Sequence, residues 1–338
     1  MSVISTQIQL VRRPQGWPVP DDFQTAHISY NEPTAGEIRV QNAFLSVDPY
    51  MRGRMNDTKS YTPPYPLGET MTGGAIGRVT ASADPAFPVG SVVLHQLGWR
   101  DVAQAPSTQF RIVPELPDMP LSLYLGILGL TGMTAYVGLT AIAELTAGDI
   151  VFVSAAAGAV GSAAGQIARL LGASVVLGSA GSPEKVALLT GKYGFDAAFN
   201  YHERPVRTQL AENAPDGIDV YFDNVGGDHL EAALDVFRDG GRAALCGAIT
   251  SYNSTDAVPG PDNMANIITR GLTLRGFTLT GYLDRAAEFH RLMTGWLAEG
   301  RIVYDETVVD GIDHTVDAFL SMMRGSNKGK MIVRLGSA

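Results

Sequence analysis

Three stretches of this 338-residue chain carry residue types at spacings that could do chemistry. The first is Ala156-Ala-Gly-Ala-Val-Gly161, which follows the apolar run Val151-Phe-Val153 and leads into Gln166-Ile-Ala-Arg-Leu-Leu171, whose apolar positions recur at helical spacing. Strand, tight turn and helix follow one another. Small residues at Ala156, Gly158 and Gly161, in a turn completed by Ala159 and Val160, keep bulk away from a helix N-terminus, whose free N–H groups suit a pyrophosphate. The spacing is Ala-x-Gly-x-x-Gly, with alanine where the usual fingerprint has its first glycine. Close packing of strand on helix also uses small residues, so the turn draws its meaning from its surroundings.

The second stretch is Gly178-Ser-Ala-Gly-Ser-Pro-Glu-Lys185. An NAD site places Asp or Glu about 20 residues beyond the glycines, on the ribose hydroxyls. Here that region holds no acid until Glu184. Ser182 and Pro183 instead read as helix cap and first helical residue. A lysine in a helix's first turn opposes the macrodipole, so Lys185 points to an anionic partner, read as the 2′-phosphate of NADPH. A solvated surface lysine is the alternative. The third stretch pairs Asn224, before Gly226-Gly227, with Tyr252-Asn253 in a loop at a strand's carboxyl end, where such sheets bind ligands. A turn role alone also suits Asn224.

The elements that must position these groups change character along the chain. From Ile8 to about Val113, short alternating segments such as Glu37 to Ala43, Gly74 to Thr80 and Gly90 to His95 are separated by Pro and Gly clusters, which predicts a β-rich domain. Pro114 to Pro120 is a candidate boundary. Beyond Leu121, helices alternate with apolar strands at Ile150 to Ser154, Ser174 to Leu177, Ala197 to Asn200, Asp219 to Asp223 and Arg242 to Gly247, which predicts βαβ units and a doubly wound parallel sheet. The tail offers a strand at Glu306 to Asp310, an amphipathic helix at Ile312 to Met323 and a strand at Lys330 to Leu335, returning to the first domain. The predicted class is therefore α/β, with one domain over residues 1–125, a nucleotide-binding domain over 126–298 and a return over 299–338.

A formal charge of -9 argues against a nucleic-acid partner. The N-terminus lacks a basic segment followed by an apolar one, so no signal peptide is expected and a cytoplasmic location follows. Leu121 to Ile142 is apolar but broken by glycines, and reads as buried helix and turn, not a membrane span. The lone Cys246 sits in an apolar strand, and His27, His95, His202, His229, His290 and His314 are dispersed without ligand spacing, so no metal site is expected.

Taken together, Val47-Asp-Pro-Tyr-Met-Arg-Gly-Arg-Met55, Gly98-Trp-Arg-Asp101, Leu128 to Tyr136, Ala155 to Gly161, Phe199-Asn-Tyr201, Tyr221 to Gly227, Cys246 to Asn253 and Gly325-Ser-Asn-Lys-Gly-Lys330 resemble the zinc-independent medium-chain dehydrogenases/reductases. Within them the chain is similar to the NADPH-dependent alkenal and 2-alkenone reductases over essentially its whole length. Zinc-containing relatives carry Gly-His-Glu where this chain reads Gly68-Glu-Thr70. The resemblance implies a GroES-like β-barrel catalytic domain, formed by the N-terminal part and the tail, beside a Rossmann domain, and a homodimer. It implies that Lys185 and Tyr201 hold the 2′-phosphate, and that Thr134 and the 156–161 turn meet the pyrophosphate region. Asn224, Tyr252 and Asn327 would line the cofactor and the adjoining cleft. Tyr50, Tyr61 and Tyr282 would border the substrate, with ordinary aromatic packing as their alternative. Arg52 and Arg54 could equally pair with Asp48 or Asp57.

The chemistry so implied is NADPH-dependent reduction of the C=C bond of small-molecule enals and enones. Hydride reaches the β-carbon and leaves an enolate that needs a fixed donor. Tyr252, with a cofactor ribose hydroxyl, is the expected donor; water or a tyrosine, Tyr61 being the candidate, would protonate the α-carbon. Quinone reduction and NADP-dependent alcohol oxidation are alternatives on the same fold, and non-catalytic NADPH binding is one of another class.

Overall fold

The structure is a computed structural model that describes residues 2–336. It comprises two compact units. One holds the chain up to residue 126, Glu306–Asn327 and the residues from 331 onward; the other holds Ile127–Asp305 and Lys328–Lys330.

In the first unit, the sheet order is Glu306–Asp310, Lys330–Arg334, Glu37–Ser46, Ala75–Ser82, Val92–His95 and Phe110–Ile112, with Val102–Pro106 also pairing Glu37–Ser46. A second sheet orders Phe23–Tyr30, Val3–Leu10 and Glu69–Thr70. Alternation along Glu37–Ser46 sends Ile38 and Val40 inward onto Val79, Val93, Ala103 and Phe110. The helix Thr315–Met323 docks through Phe319, which meets Trp99 edge-on at 5.7 Å. His95 is buried in this sheet. Its Nδ1 accepts from the Leu97 N–H at 3.1 Å, so Nε2 carries the proton that faces Asn42 Oδ1 at 2.8 Å.

The second unit is built on six parallel strands: Ile150–Val153, Val175–Ala180, Ala197–Asn200, Ile218–Asp223, Phe237–Leu245 and Thr273–Gly276. Counted along the chain, their spatial order is third, second, first, fourth, fifth, sixth. That is the doubly wound order, with its switch point between the first and fourth strands. Both sheet faces are covered, which is why Val151-Phe-Val153 and Val175-Val-Leu177 are continuously apolar. Phe152 stacks on Tyr221 at 5.1 Å and on Phe199 at 5.9 Å to start the core of one face.

The α/β class and the five expected strands are present, with one shifted. The fifth runs Phe237–Leu245 and stops short of Gly247, because the Cys246 and Gly247 N–H groups both turn to the Asp223 carbonyl, at 2.8 and 3.0 Å. The sixth, Thr273–Gly276, was not anticipated: it is a four-residue edge strand with one partly buried apolar side chain and no readable periodicity. Leu121 to Ile142 forms a 3₁₀ turn, Leu121–Leu125, the helix Leu130–Val137 and a π turn, Gly138–Ile142. No helix among the described residues is long and apolar enough to cross a membrane.

Candidate cofactor site and active site

Apart from Thr134, the expected site residues of the second unit follow the carboxyl ends of its strands. After Ile150–Val153 the chain makes a tight turn in which Ala155 takes φ +47°, and the helix Ala159–Leu170 starts with Gly158 at its N-cap. No side chain caps that helix. Gly161 is obligatory in this turn: a Cβ there would stand 2.4 Å from the Ala155 carbonyl oxygen. The turn is tied to the second strand, Ala156 donating its N–H to Ser179 O at 2.9 Å. A bare, positively polarised helix end behind small residues fits a dinucleotide pyrophosphate.

The second strand ends at Ala180 and runs through Gly181 into the helix Pro183–Gly191. Ser182 accepts the Lys185 N–H at 3.3 Å, and Pro183 takes the first helical position. Burial, and after it the like charge of Lys328, lower the affinity of the Lys185 amine for its proton. An anion at this place would relieve that strain on Lys185. Tyr201, one residue past the third strand, sits against Gly181; a Cβ on Gly181 would be 2.8 Å from its hydroxyl. The edge of the buried His229 ring meets the Tyr201 ring at 5.4 Å, and His229 Nδ1 is 2.9 Å from Asp228. Burial, then Asp228, push the Tyr201 phenol above its ordinary pKa, so it stays a donor.

At the switch point Asn224 is committed to architecture. Its N–H donates to Ser154 Oγ at 2.9 Å and its side-chain amide to Ser154 O at 2.8 Å. Asp223, buried beside it, accepts from the Tyr221 hydroxyl at 2.7 Å and from the Val225 and Gly226 N–H groups at 2.9 and 2.8 Å. The turn role for Asn224 is thus filled, with its carboxamide oxygen still able to accept. Tyr252 closes the short turn Ile249–Ser251. A Cβ on Gly247 would lie 3.3 Å from the Tyr252 hydroxyl and 3.2 Å from the Asn224 carbonyl, so both flank the same spot past the fifth strand. Thr134, on the helix Leu130–Val137, donates its hydroxyl to Leu130 O at 2.7 Å. The Tyr282 hydroxyl accepts from Arg275 at 3.0 Å.

In the first unit, Tyr50 begins the short helix Tyr50–Arg54, and its phenol is held far above its ordinary pKa by burial, then by Asp48. Tyr61 is 68% exposed and lies near Tyr50 and Tyr65. Arg54 lies 3.9 Å over the Tyr65 ring and donates to Pro63 O and Thr72 Oγ1, both at 3.0 Å, while Asp57 pairs with Arg13 at 3.4 Å. Asn327 ends a segment of this unit, immediately before Lys328.

Two contributors escape the sequence reading: Ser154 and His229 show only once the strands are aligned.

Two family models match the chain: the N-terminal domain of oxidoreductase over residues 6–113, and zinc-binding dehydrogenase over 159–298. Among the described residues no group of three or more His, Cys, Asp or Glu could hold a metal ion, and burial pushes the Cys246 thiol up to about 12. The fold, these family models and the full-length relatives place the chain in the zinc-independent medium-chain dehydrogenase/reductase family. Similar proteins include an NADPH-dependent curcumin reductase of Escherichia coli, 38% identical over 96% of this chain and 95% of its own. A 2-alkenal reductase (NADP+-dependent) of Nicotiana tabacum is 38% identical over 98% and 97%. The crystal structure of CurA in complex with NADPH from Vibrio vulnificus superposes with a TM-score of 0.93 at 39% identity, covering 98% of this chain and all of that one.

Proposed function

We infer that this protein is an NADPH-dependent reductase of the carbon–carbon double bond in α,β-unsaturated aldehydes and ketones. The observation that carries the reading is that the helix N-terminus at Gly158, Lys185, Tyr201 and Tyr252 follow the carboxyl ends of the first, second, third and fifth strands of one sheet, in a chain whose full-length relatives are named for curcumin and 2-alkenal reduction. The residues fit the cofactor: the turn admits a backbone approach, Lys185 and Tyr201 offer a cation and a donor, and no carboxylate stands between Gly178 and Gly181. NADPH, when bound, supplies the hydride that the β-carbon accepts. The task left to the chain is to hold the developing enolate oxygen, which the Tyr252 hydroxyl does by donation, and to keep a proton source near the α-carbon, for which Tyr61 and water are the candidates. Thr134, the 156–161 turn, Asn224 and Asn327 bind and orient the cofactor, and Tyr50 and Tyr282 border the substrate. We further propose a cytoplasmic homodimer, a reading supported by the family resemblance.

The test is NADPH consumption with an enone, a quinone and no acceptor, with identification of the product. A saturated ketone is expected. Turnover with quinone alone, or NADPH binding without consumption, would overturn the reading in favour of the quinone reductase or the non-catalytic binder.

A further inference from the structure

Residues Lys328–Lys330 belong to the nucleotide-binding unit although the chain on either side of them does not. They are pinned there from two directions. The Gly329 N–H donates to Ala157 O at 2.9 Å, and Gly329 pairs as a parallel bridge with Gly158, the cap residue of the phosphate-binding helix. On the other side the Lys330 N–H donates to Asp305 O at 2.9 Å, and the Asp305 carboxylate is itself held by Lys192 at 2.8 Å and the Tyr193 hydroxyl at 2.6 Å. Only glycine passes this gap: Gly329 has φ +60°, and a Cβ would stand 1.9 Å from Asp305 O. The segment is thus a short backbone strap along the 157–158 turn. Its one exposed residue is a lysine whose charge reaches both Lys185 and Glu184 at the head of the next helix.

Glu184 offsets part of the repulsion between Lys328 and the buried Lys185 at the head of this helix, and a doubly charged anion beside the two lysines would add to that compensation. We propose that Lys328 is a second cation of the 2′-phosphate subsite, acting alongside Lys185, and that the strap at Gly329 exists to present it. This rests on the NADPH reading above and extends it to a residue in the chain's last dozen positions.

The test uses the full-length protein and a ligand that reports the subsite without turnover: the affinity for 2′,5′-ADP against that for 5′-AMP, by titration calorimetry. Lys328→Ala is expected to weaken 2′,5′-ADP about tenfold, the low end for a charge-assisted contact at an exposed site, and to leave 5′-AMP unchanged; Lys328→Arg should retain most of the affinity. The dependence of 2′,5′-ADP binding on salt should be shallower in Lys328→Ala. If Lys328→Ala proves unstable, Lys328→Gln carries the same expectation. Lys185→Ala separates the two ideas. Loss in Lys185→Ala with none in Lys328→Ala overturns the proposal and leaves the NADPH reading standing. No loss in either variant overturns both, and equal losses of both ligands in Lys328→Ala would make the lysine a structural residue and overturn the proposal.

Discussion

The proposed enolate donor is the Tyr252 hydroxyl, which with the Asn224 carbonyl flanks Gly247, past the end of Phe237–Leu245. Tyr252→Phe keeps the ring and removes the donor, so kcat with several enones should fall by about a hundred- to a thousandfold, since a single oxyanion donor is worth about 2.7–4 kcal/mol in acyl-transfer enzymes. KM for NADPH should move little. Unchanged kcat across enones would remove the hydroxyl from the mechanism. Individual side chains were unevenly legible in the sequence. Lys185 was readable because helix-cap chemistry at Ser182-Pro183 fixes its position locally. Asn224 was readable as a turn residue, but its bonds to Ser154 depend on two strands 70 positions apart lying side by side, which no local pattern encodes.

At the scale of elements, the strand–turn–helix at 150–170 tolerates no extra atom at one point. Gly161→Ala would drive a methyl group into the Ala155 carbonyl, where φ is already +47°. It should cost about 1–3 kcal/mol of stability, as overpacking does, and weaken NADPH binding; a thermal melt and a fluorescence titration check the two effects separately. The first unit's sheet carries a different liability in His95. Burial, aided by Arg100, holds its pKa at about 3 against an ordinary 6.5. The unfolded chain therefore binds a proton between those values that the folded chain refuses, and stability falls as pH drops from about 6.5 toward 3. The slope attributable to this residue is at most about 1.4 kcal/mol per pH unit. His95→Asn, which keeps a donor toward Asn42, should flatten the acid side of a stability-versus-pH curve by about one proton, read from denaturant melts at pH 4 to 6. Elements were more legible than side chains. Strands such as Ile150–Val153 and Val175–Ala180 announce themselves by apolar runs, because burial on both faces forbids alternation, whereas the short strand Thr273–Gly276, with one partly buried apolar side chain, left no trace.

For the molecule as a whole, the tail is interior and not an appendage. Lys330–Arg334 lies between Glu306–Asp310 and Glu37–Ser46 in the first unit's sheet, with Ile332, Val333 and Met331 fully or almost fully buried. Ending the chain at Asn327 would remove that strand and the strap on the Gly158 turn together, so the truncated protein should fail to give a cooperative melt and lose 2′,5′-ADP binding; a folded, nucleotide-binding truncation would contradict both roles. The return of the tail was predictable from its strand–helix–strand pattern, while its place between two other strands of the sheet was set by pairing partners some 290 residues away. The glycines at 178 and 181 bear on how such a protein could change over mutational time. A carboxylate that would favour NADH has no room at either place: a Cβ on Gly178 would sit 2.9 Å from the Ala156 methyl and from Phe195, and one on Gly181 would strike the Tyr201 hydroxyl. At these two positions a switch of cofactor cannot begin with the acidic residue itself. It must begin with the neighbours, Ala156 and Phe195 or Tyr201, and each of those first steps loosens the site before any benefit arrives, so this lineage is held to its phosphate by packing as much as by charge.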